Sequence, residues 1–274
     1  NRSLHTMNGF VVAILVVWAA TSLNIFHKRK IVTSDLFKLC QIFYIVFTEA
    51  VYVISSPGSD ILALSLVLYI GAKWCELFEN SNESLEDYGI LCLLAVWAAT
   101  VKLSAGALVF LAVYPAVKLI RGRQWKLTGV LIGSGLLILL PFLVRNIVIS
   151  GYLVYPYASI DVFSVDWKMA ESVVQDDARE IAAWGRGMTS RAQYDAPFGT
   201  WFPIWYGRLG TQFRILFWGS IAGILGSIPY AISSLKRKNG WQRLNLLLVN
   251  MTGLLLWFWG APLTRYGVIY LLLL

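Results

Sequence analysis

Six apolar runs dominate this sequence, near residues 8–26, 34–54, 60–78, 127–148, 211–233 and 244–259. They approach or exceed the roughly 20 helical residues needed to cross the hydrocarbon core of a bilayer. A crossing segment must satisfy its own backbone hydrogen bonds, so such runs fold as helices. The stretch 88–120 is longer than one crossing and is interrupted by Lys102-Leu103-Ser104-Ala105-Gly106. It reads as two short helices, 88–103 and 106–120, that meet at the break. Residues 266–274 open a further span. The expected fold is all-α, a polytopic transmembrane helix bundle of about eight to nine spans. Composition agrees. The chain is 58% hydrophobic and 14% charged, against about 45–50% and about 25% in soluble domains, and the surplus apolar surface needs lipid to face.

The chain starts Asn1-Arg2-Ser3 and stops inside the run Tyr270 to Leu274, so it reads as a fragment, with essential residues expected upstream. The start lacks the basic region and small-residue cleavage site of a signal peptide, so the first run is read as a retained span. Its expected parts are N-terminal transmembrane helices over 1–148, a loop over 149–210, and truncated C-terminal transmembrane helices over 211–274.

Orientation follows from Lys and Arg in short loops, which favour the cytoplasm. The basic clusters are Lys28-Arg29-Lys30, then Lys118 with Arg121, Arg123 and Lys126, then Lys236-Arg237-Lys238 with Arg243. Counting spans from the first cluster places all three on one side. The acidic loop 79–87 joins them, which the rule permits because carboxylates weigh little in it. The other, extracytoplasmic, face receives residues 1–6, the turn 55–60, the break at Lys102, the loop 149–210 and the turn Gly260 to Arg265. The loop carries Trp167, Trp184, Trp201 and Trp205 and a helical stretch near 167–184, with Val173, Val174, Ala178, Ile181 and Ala182 on one side. Such a helix either lies in the membrane interface or roofs a cavity between the spans.

Ionisable residues at membrane depth are costly and usually face a cavity or a partner, which makes them the first functional candidates. Lys102 sits at the helix break, Arg145 ends the span 127–148 beside Asn146, and Arg265 follows the Ala261-Pro262 turn. Together such cations suit a phosphate or diphosphate, which Arg grips with paired hydrogen bonds and Lys as a point charge. Separately, each would snorkel to lipid headgroups. Asp60 opens a span after Ser55-Ser56-Pro57-Gly58-Ser59. It either caps that helix or serves as a carboxylate that polarises an acceptor hydroxyl or holds a metal beside phosphate. Asp161 and Asp166 in the loop are further candidates, although loop acids are usually solvated.

Several chemistries are excluded. There is no phosphate-cradling Gly-rich loop, Ser-His-Asp set or zinc signature. Cys40, Cys75 and Cys92 fall in separate apolar runs as packing residues, and His5 and His27 are too few for a three-histidine metal site. No metal ligand is therefore assigned. A divalent cation held by carboxylates stays open, and the cofactor is unknown. The net charge of +8 sits mainly in the three basic clusters, where insertion orientation and anionic lipid account for it without a nucleic-acid partner.

Four segments resemble the GT-C superfamily of multispan glycosyltransferases, and look most like a bacterial branch of it. They are Ser55-Ser56-Pro57-Gly58-Ser59-Asp60 leading a span, Val101-Lys102-Leu103-Ser104-Ala105 at the break, Arg145-Asn146 before Gly151-Tyr152 and Tyr155-Pro156, and Trp259 to Gly267, which includes Arg265 and Tyr266. The resemblance implies transfer of a sugar from a polyprenyl-phosphate-linked donor to an extracytoplasmic acceptor, in a bacterial inner membrane. Asp60 would be catalytic, and Lys102, Arg145, Asn146, Arg265 and Tyr266 would bind the lipid-linked sugar donor. The loop 149–210 would cover the acceptor cleft, and membrane lipids would be the other partner. Such enzymes carry a key acid in their first extracytoplasmic loop, which here would precede Asn1. Two other readings stay open: a transporter or flippase of a lipid-linked substrate, and a non-catalytic membrane scaffold. The lack of repeat between the halves and the size of the loop favour surface chemistry over alternating access.

Overall fold

The computed structural model describes residues 2–26, 32–39, 58–81, 84–235 and 239–272, and among them no residue lies in a strand. Helix α1, Arg2–Ala20, ends in a 3-10 turn, Thr21–Phe26, and residues 33–39 are helical. Then come α2, Asp60–Glu79, and α3, Leu85–Val101. A 3-10 segment, Leu103–Ala112, runs on into α4, Val113–Arg121. The remainder is α5, Trp125–Ser150; α6, Glu171–Gly185; α7, Phe198–Arg208; α8, Thr211–Ser234; α9, Gly240–Gly260; and α10, Thr264–Leu271.

Five described segments are long and apolar enough to cross a membrane: Thr6–Leu23, Asp60–Glu79, Leu103–Arg121, Trp125–Ser150 and Thr211–Tyr230. By length and composition the chain is an integral membrane protein. The expected count was eight to nine spans, and the difference has physical causes. Helix α3 has 17 residues, short of the roughly 20 that a crossing takes. Helix α9 has 21 but carries Gln242, Arg243, Asn245 and Asn250 among its apolar residues. Helix α10 has eight. The expected span 34–54 lies outside the described residues beyond residue 39, as do the clusters Lys28-Arg29-Lys30 and Lys236-Arg237-Lys238.

Helix α2 is the axis of the bundle. Ile61, Ala63, Leu64, Val67, Leu68, Ile70, Ala72 and Trp74 are all buried, and α1, α3, α9 and α10 pack around it. Toward its C-terminal end, Trp74, Tyr88 and Tyr114 stack edge to face, with ring centroids 4.7 to 6.2 Å apart. Trp74 Nε1 donates to the Gln242 carbonyl at 3.0 Å, and Gln242 Nε2 donates to Tyr114 Oη at 2.8 Å. These bonds satisfy the polar edges of an otherwise dry core. Arg243 sits at the same end, its guanidinium 5.0 Å from the centroid of the Phe78 ring. Lys118 and Arg121 follow Tyr114 along α4, so the described part of two basic clusters shares one end of the bundle.

Helix α5 behaves differently. Of its residues only Asn146 and Ser150, near its C-terminal end, are buried, and among the helices it packs chiefly on α3 and α4. A Cβ added to Gly89 would strike Leu131, and one added to Gly135 would lie 3.8 Å from Leu93 Cδ2. Those two contacts fix α3 and α5 as parallel neighbours. Gly151 ends α5 with φ +81°, a left-handed cap that glycine adopts without steric cost.

One buried residue lacks a counterpart. Asn250 on α9 is 1% exposed, and neither its Nδ2 nor its Oδ1 is hydrogen-bonded among the described residues. An unsatisfied buried polar group costs about 1–3 kcal/mol, and leucine has nearly the same shape. Asn250→Leu is therefore expected to raise the thermal unfolding midpoint in detergent by several degrees. A lowered midpoint would mean that the amide has a partner beyond the described residues.

Candidate functional site

The break expected at Lys102 is present. Lys102 is extended, at φ −152° and ψ 120°, between α3 and the 3-10 segment. A 3-10 run of ten residues is long for a conformation that rarely exceeds four. Donors from two other helices fix it near both ends: Asn245 Nδ2 bonds the Leu111 carbonyl at 2.9 Å, and Tyr270 Oη bonds the Ser104 carbonyl. Ala105, Ala107, Leu108 and Leu111 are buried where this segment packs on α9. Small residues and outside donors thus hold a narrow helix that leaves Lys102 at its mouth.

Lys102 forms an ion pair with Asp60, the first residue of α2. Arg265, the second residue of α10, approaches the other carboxylate oxygen at 4.0 Å. Tyr266 completes the group. Lys102 Nζ stands 4.0 Å from its ring centroid, the Arg265 guanidinium 5.0 Å from it, and Arg265 Nη2 donates to its hydroxyl at 3.2 Å. Side-chain exposure is 15% for Lys102, 17% for Asp60 and 56% for Arg265. The cluster therefore has a sheltered ion pair backed by one open guanidinium. The N-terminal end of α2 favours the carboxylate through the helix dipole. The formal charge of Asp60, Lys102 and Arg265 is +1.

The turn Gly260 to Leu263 positions the two α10 residues, and three side chains pin it. Trp257 Nε1 bonds the Leu263 carbonyl at 2.8 Å, Trp205 Nε1 bonds the Pro262 carbonyl at 2.7 Å, and Arg186 Nη2 bonds the Trp259 carbonyl at 2.8 Å. Gly185 lets the end of α6 lie directly on Ala261 and Pro262, where a Cβ would collide with backbone. The loop helix expected near 167–184 is present as α6, and it docks at the same end of the bundle as the cluster. Val174 and Ala183 face inward, whereas Val173, Ile181 and Trp184 are exposed. The apolar stripe expected to act together is thus split between the interior and the outer surface.

Of the expected residues, Asp60, Lys102, Arg265 and Tyr266 come together. Arg145 and Asn146 do not join them. The parallel register of α3 and α5 brings Arg145 to the level of Lys102, but it is exposed and pairs with no carboxylate among the described residues. Asn146 is spent on the end of its own helix, where its Nδ2 donates to the Leu153 carbonyl at 3.3 Å. Asp161 pairs with Lys168 inside the loop. Among the described residues no group of three or more His, Cys, Asp or Glu could hold a metal ion.

Arg186, Gly253 and Trp257 support the site without having been marked by the sequence. The aromatic density of 198–218 was the available signal. There Phe198, Trp201, Phe202, Trp205 and Phe217 form one continuous set of ring contacts with Phe258 of α9, which seats α7 against the end of α9.

A family model described as a domain of unknown function, DUF8201, matches residues 1–272, and the chain belongs to that family. Neither the curated proteins nor the solved structures gave a match.

Proposed function

Because family membership here carries no activity, we propose, from the site together with the resemblance to GT-C glycosyltransferases, that the chain transfers a sugar from a polyprenyl-phosphate-linked donor, with the cluster as the phosphate site. The observation that supports this most is the charge of the cluster: two cations and one carboxylate, mostly sheltered, leave +1 at one end of a bundle of lipid-compatible helices. Charges in such surroundings must be matched closely, because uncompensated ones are expensive. A phosphodiester carries one negative charge and neutralises the cluster. A diphosphate overshoots.

In this reading the donor phosphate meets Arg265 first, since that guanidinium is open, and then competes with Asp60 for Lys102. Once displaced, Asp60 stands free beside an anion and becomes a better base. The acceptor hydroxyl oxygen forms a bond to the anomeric carbon, and the bond from that carbon to the phosphate oxygen breaks. The electron pair stays on the phosphate, where Lys102 and Arg265 stabilise it, and the hydroxyl proton passes to Asp60. Tyr266 keeps the two cations aligned. The loop 149–210 covers the site, and with the basic ends in the cytoplasm it lies outside a bacterial inner membrane.

The test measures binding of a polyprenyl-phosphate-linked sugar and of its diphosphate-linked counterpart to the protein in nanodiscs, together with sugar transfer from the radiolabelled monophosphate-linked donor in membranes. Arg265→Ala removes one charge-assisted contact of about 1.5–3 kcal/mol. It is expected to weaken monophosphate binding by roughly ten-fold to a hundred-fold. Asp60→Asn should shift preference toward the diphosphate while abolishing transfer. Unchanged binding in both variants would remove the phosphate assignment. The transporter reading gains from one feature, the long 3-10 segment beside Lys102, and predicts carrier movement across proteoliposomes without sugar release.

A further inference from the structure

The 3-10 segment Leu103–Ala112 is held in a form that its own residues do not favour. Six of its ten residues are alanine or leucine, the strongest α formers, and 3-10 hydrogen bonds have the poorer geometry. Contacts from outside the segment hold it instead. The ion pair of Lys102 with Asp60 anchors its upper end, and the Ala105 N–H donates to the Lys102 carbonyl at 2.9 Å, so the first turn is built on Lys102 itself. The Tyr270 hydroxyl holds the Ser104 carbonyl, and Asn245 holds that of Leu111. Form sets length: ten residues span about 20 Å as a 3-10 helix and about 15 Å as an α-helix.

There is room for the form to change. Ala105, Leu108 and Leu111 are buried at the spacing of three that a 3-10 helix stacks in one column. Near the mouth, however, the side chains that would have to turn belong to Ala105, Gly106 and Ala107, and a Cβ at Gly106 would meet nothing within 4 Å. The present form also leaves a polar group unmatched, since Ser104 Oγ is buried with no hydrogen-bond partner among the described residues. We propose that Leu103–Ala112 is a two-state strap that extends and retracts Lys102. As a 3-10 helix it delivers Lys102 to Asp60. As an α-helix it is about 5 Å shorter, Lys102 leaves the carboxylate, and Arg265 remains as the partner of Asp60. The inference rests on the phosphate reading for its ligand: only the extended form offers both cations, so a bound phosphate favours that form and retraction empties the site.

Pulsed EPR measures the length of the strap between spin labels at Leu103 and Val117, which are 39% and 42% exposed, in nanodiscs and with the native cysteines replaced by alanine. The parent should give one main distance. Tyr270→Phe keeps the ring against Gly253 and deletes only the donor, and it should add a population about 5 Å shorter. Tyr270→Phe combined with Asn245→Leu should make the short distance the main one. A polyprenyl-phosphate-linked sugar should restore the long distance in both variants, and its affinity should fall in proportion to the long-distance fraction of the unliganded protein. A short population that the ligand leaves unaltered supports the strap and counts against the phosphate reading. One unaltered distance in both variants overturns the strap, as does a broad spread with no defined shorter distance, which is local unfolding.

Discussion

Replacing Lys102 by methionine is expected to destabilise the protein by about 3 kcal/mol and to abolish binding of the polyprenyl-phosphate-linked donor. Breaking a sheltered ion pair strands the remaining charge, at a cost of about 3–5 kcal/mol. The lower figure applies because Arg265 stays 4.0 Å from the Asp60 carboxylate and Asp60 keeps the favourable end of α2. The second variant separates the two losses. Lys102→Met combined with Asp60→Asn has no stranded carboxylate, so its unfolding midpoint in detergent should return close to that of the parent. Carrier binding should recover only in part, because the cluster regains a charge of +1 on Arg265 but lacks the Lys102 contact. If Lys102→Met binds the carrier as the parent does, Lys102 is a structural partner of Asp60 and nothing more.

The second large effect comes from two glycines. Helices α9 and α10 interlock reciprocally: Gly253 on α9 faces the ring of Tyr270, and Gly267 on α10 faces the ring of Trp257. A Cβ at either glycine would stand deep inside van der Waals contact with the ring. Tyr270 is 1% exposed and Trp257 5%, so neither ring has an empty direction to move into. Overpacking of this kind costs about 1–3 kcal/mol. Gly253→Ala and Gly267→Ala are each expected at the upper end of that range, read by chemical unfolding in detergent. The damage should also reach the site. Tyr270 holds the Ser104 carbonyl and Trp257 the Leu263 carbonyl, so displaced rings would release both the 3-10 segment and the turn that precedes Arg265. Gly253→Ala combined with Tyr270→Leu should recover part of the stability, because the smaller side chain makes room. An alanine at both positions that leaves the midpoint unaltered would show that the helices do not approach as closely as described.

Several features were readable from the sequence for local reasons. The break at Lys102 could be found because a charged residue followed by Ser-Ala-Gly interrupts an apolar run too long for one helix. The loop helix was visible in its spacing, although its inward side is set by Val174 and Ala183 and not by the full apolar stripe. The site was legible as a set of suspicious charges. Asp60, Lys102, Arg265 and Tyr266 meet, while Arg145 and Asn146 remain on α5 and Asp161 pairs within the loop. The residues that hold the site were not legible. A tryptophan near a membrane interface is expected whatever it bonds, so nothing marked Trp205 or Trp257 as clamps on the 260–263 turn.

What the sequence determined by itself is that this chain is an all-α membrane protein, because a bilayer makes each long apolar segment satisfy its own backbone and so turns hydropathy directly into helix. The tertiary structure alone decided which helix is central and which charges meet. Helix α5 is at least as apolar as α2, yet α2 is buried and α5 lies at the periphery, since hydropathy cannot distinguish lipid from protein as the apolar neighbour. Asp60, Lys102 and Arg265 are brought together by contacts between segments far apart in the chain, through glycine and alanine faces whose partners no local pattern names.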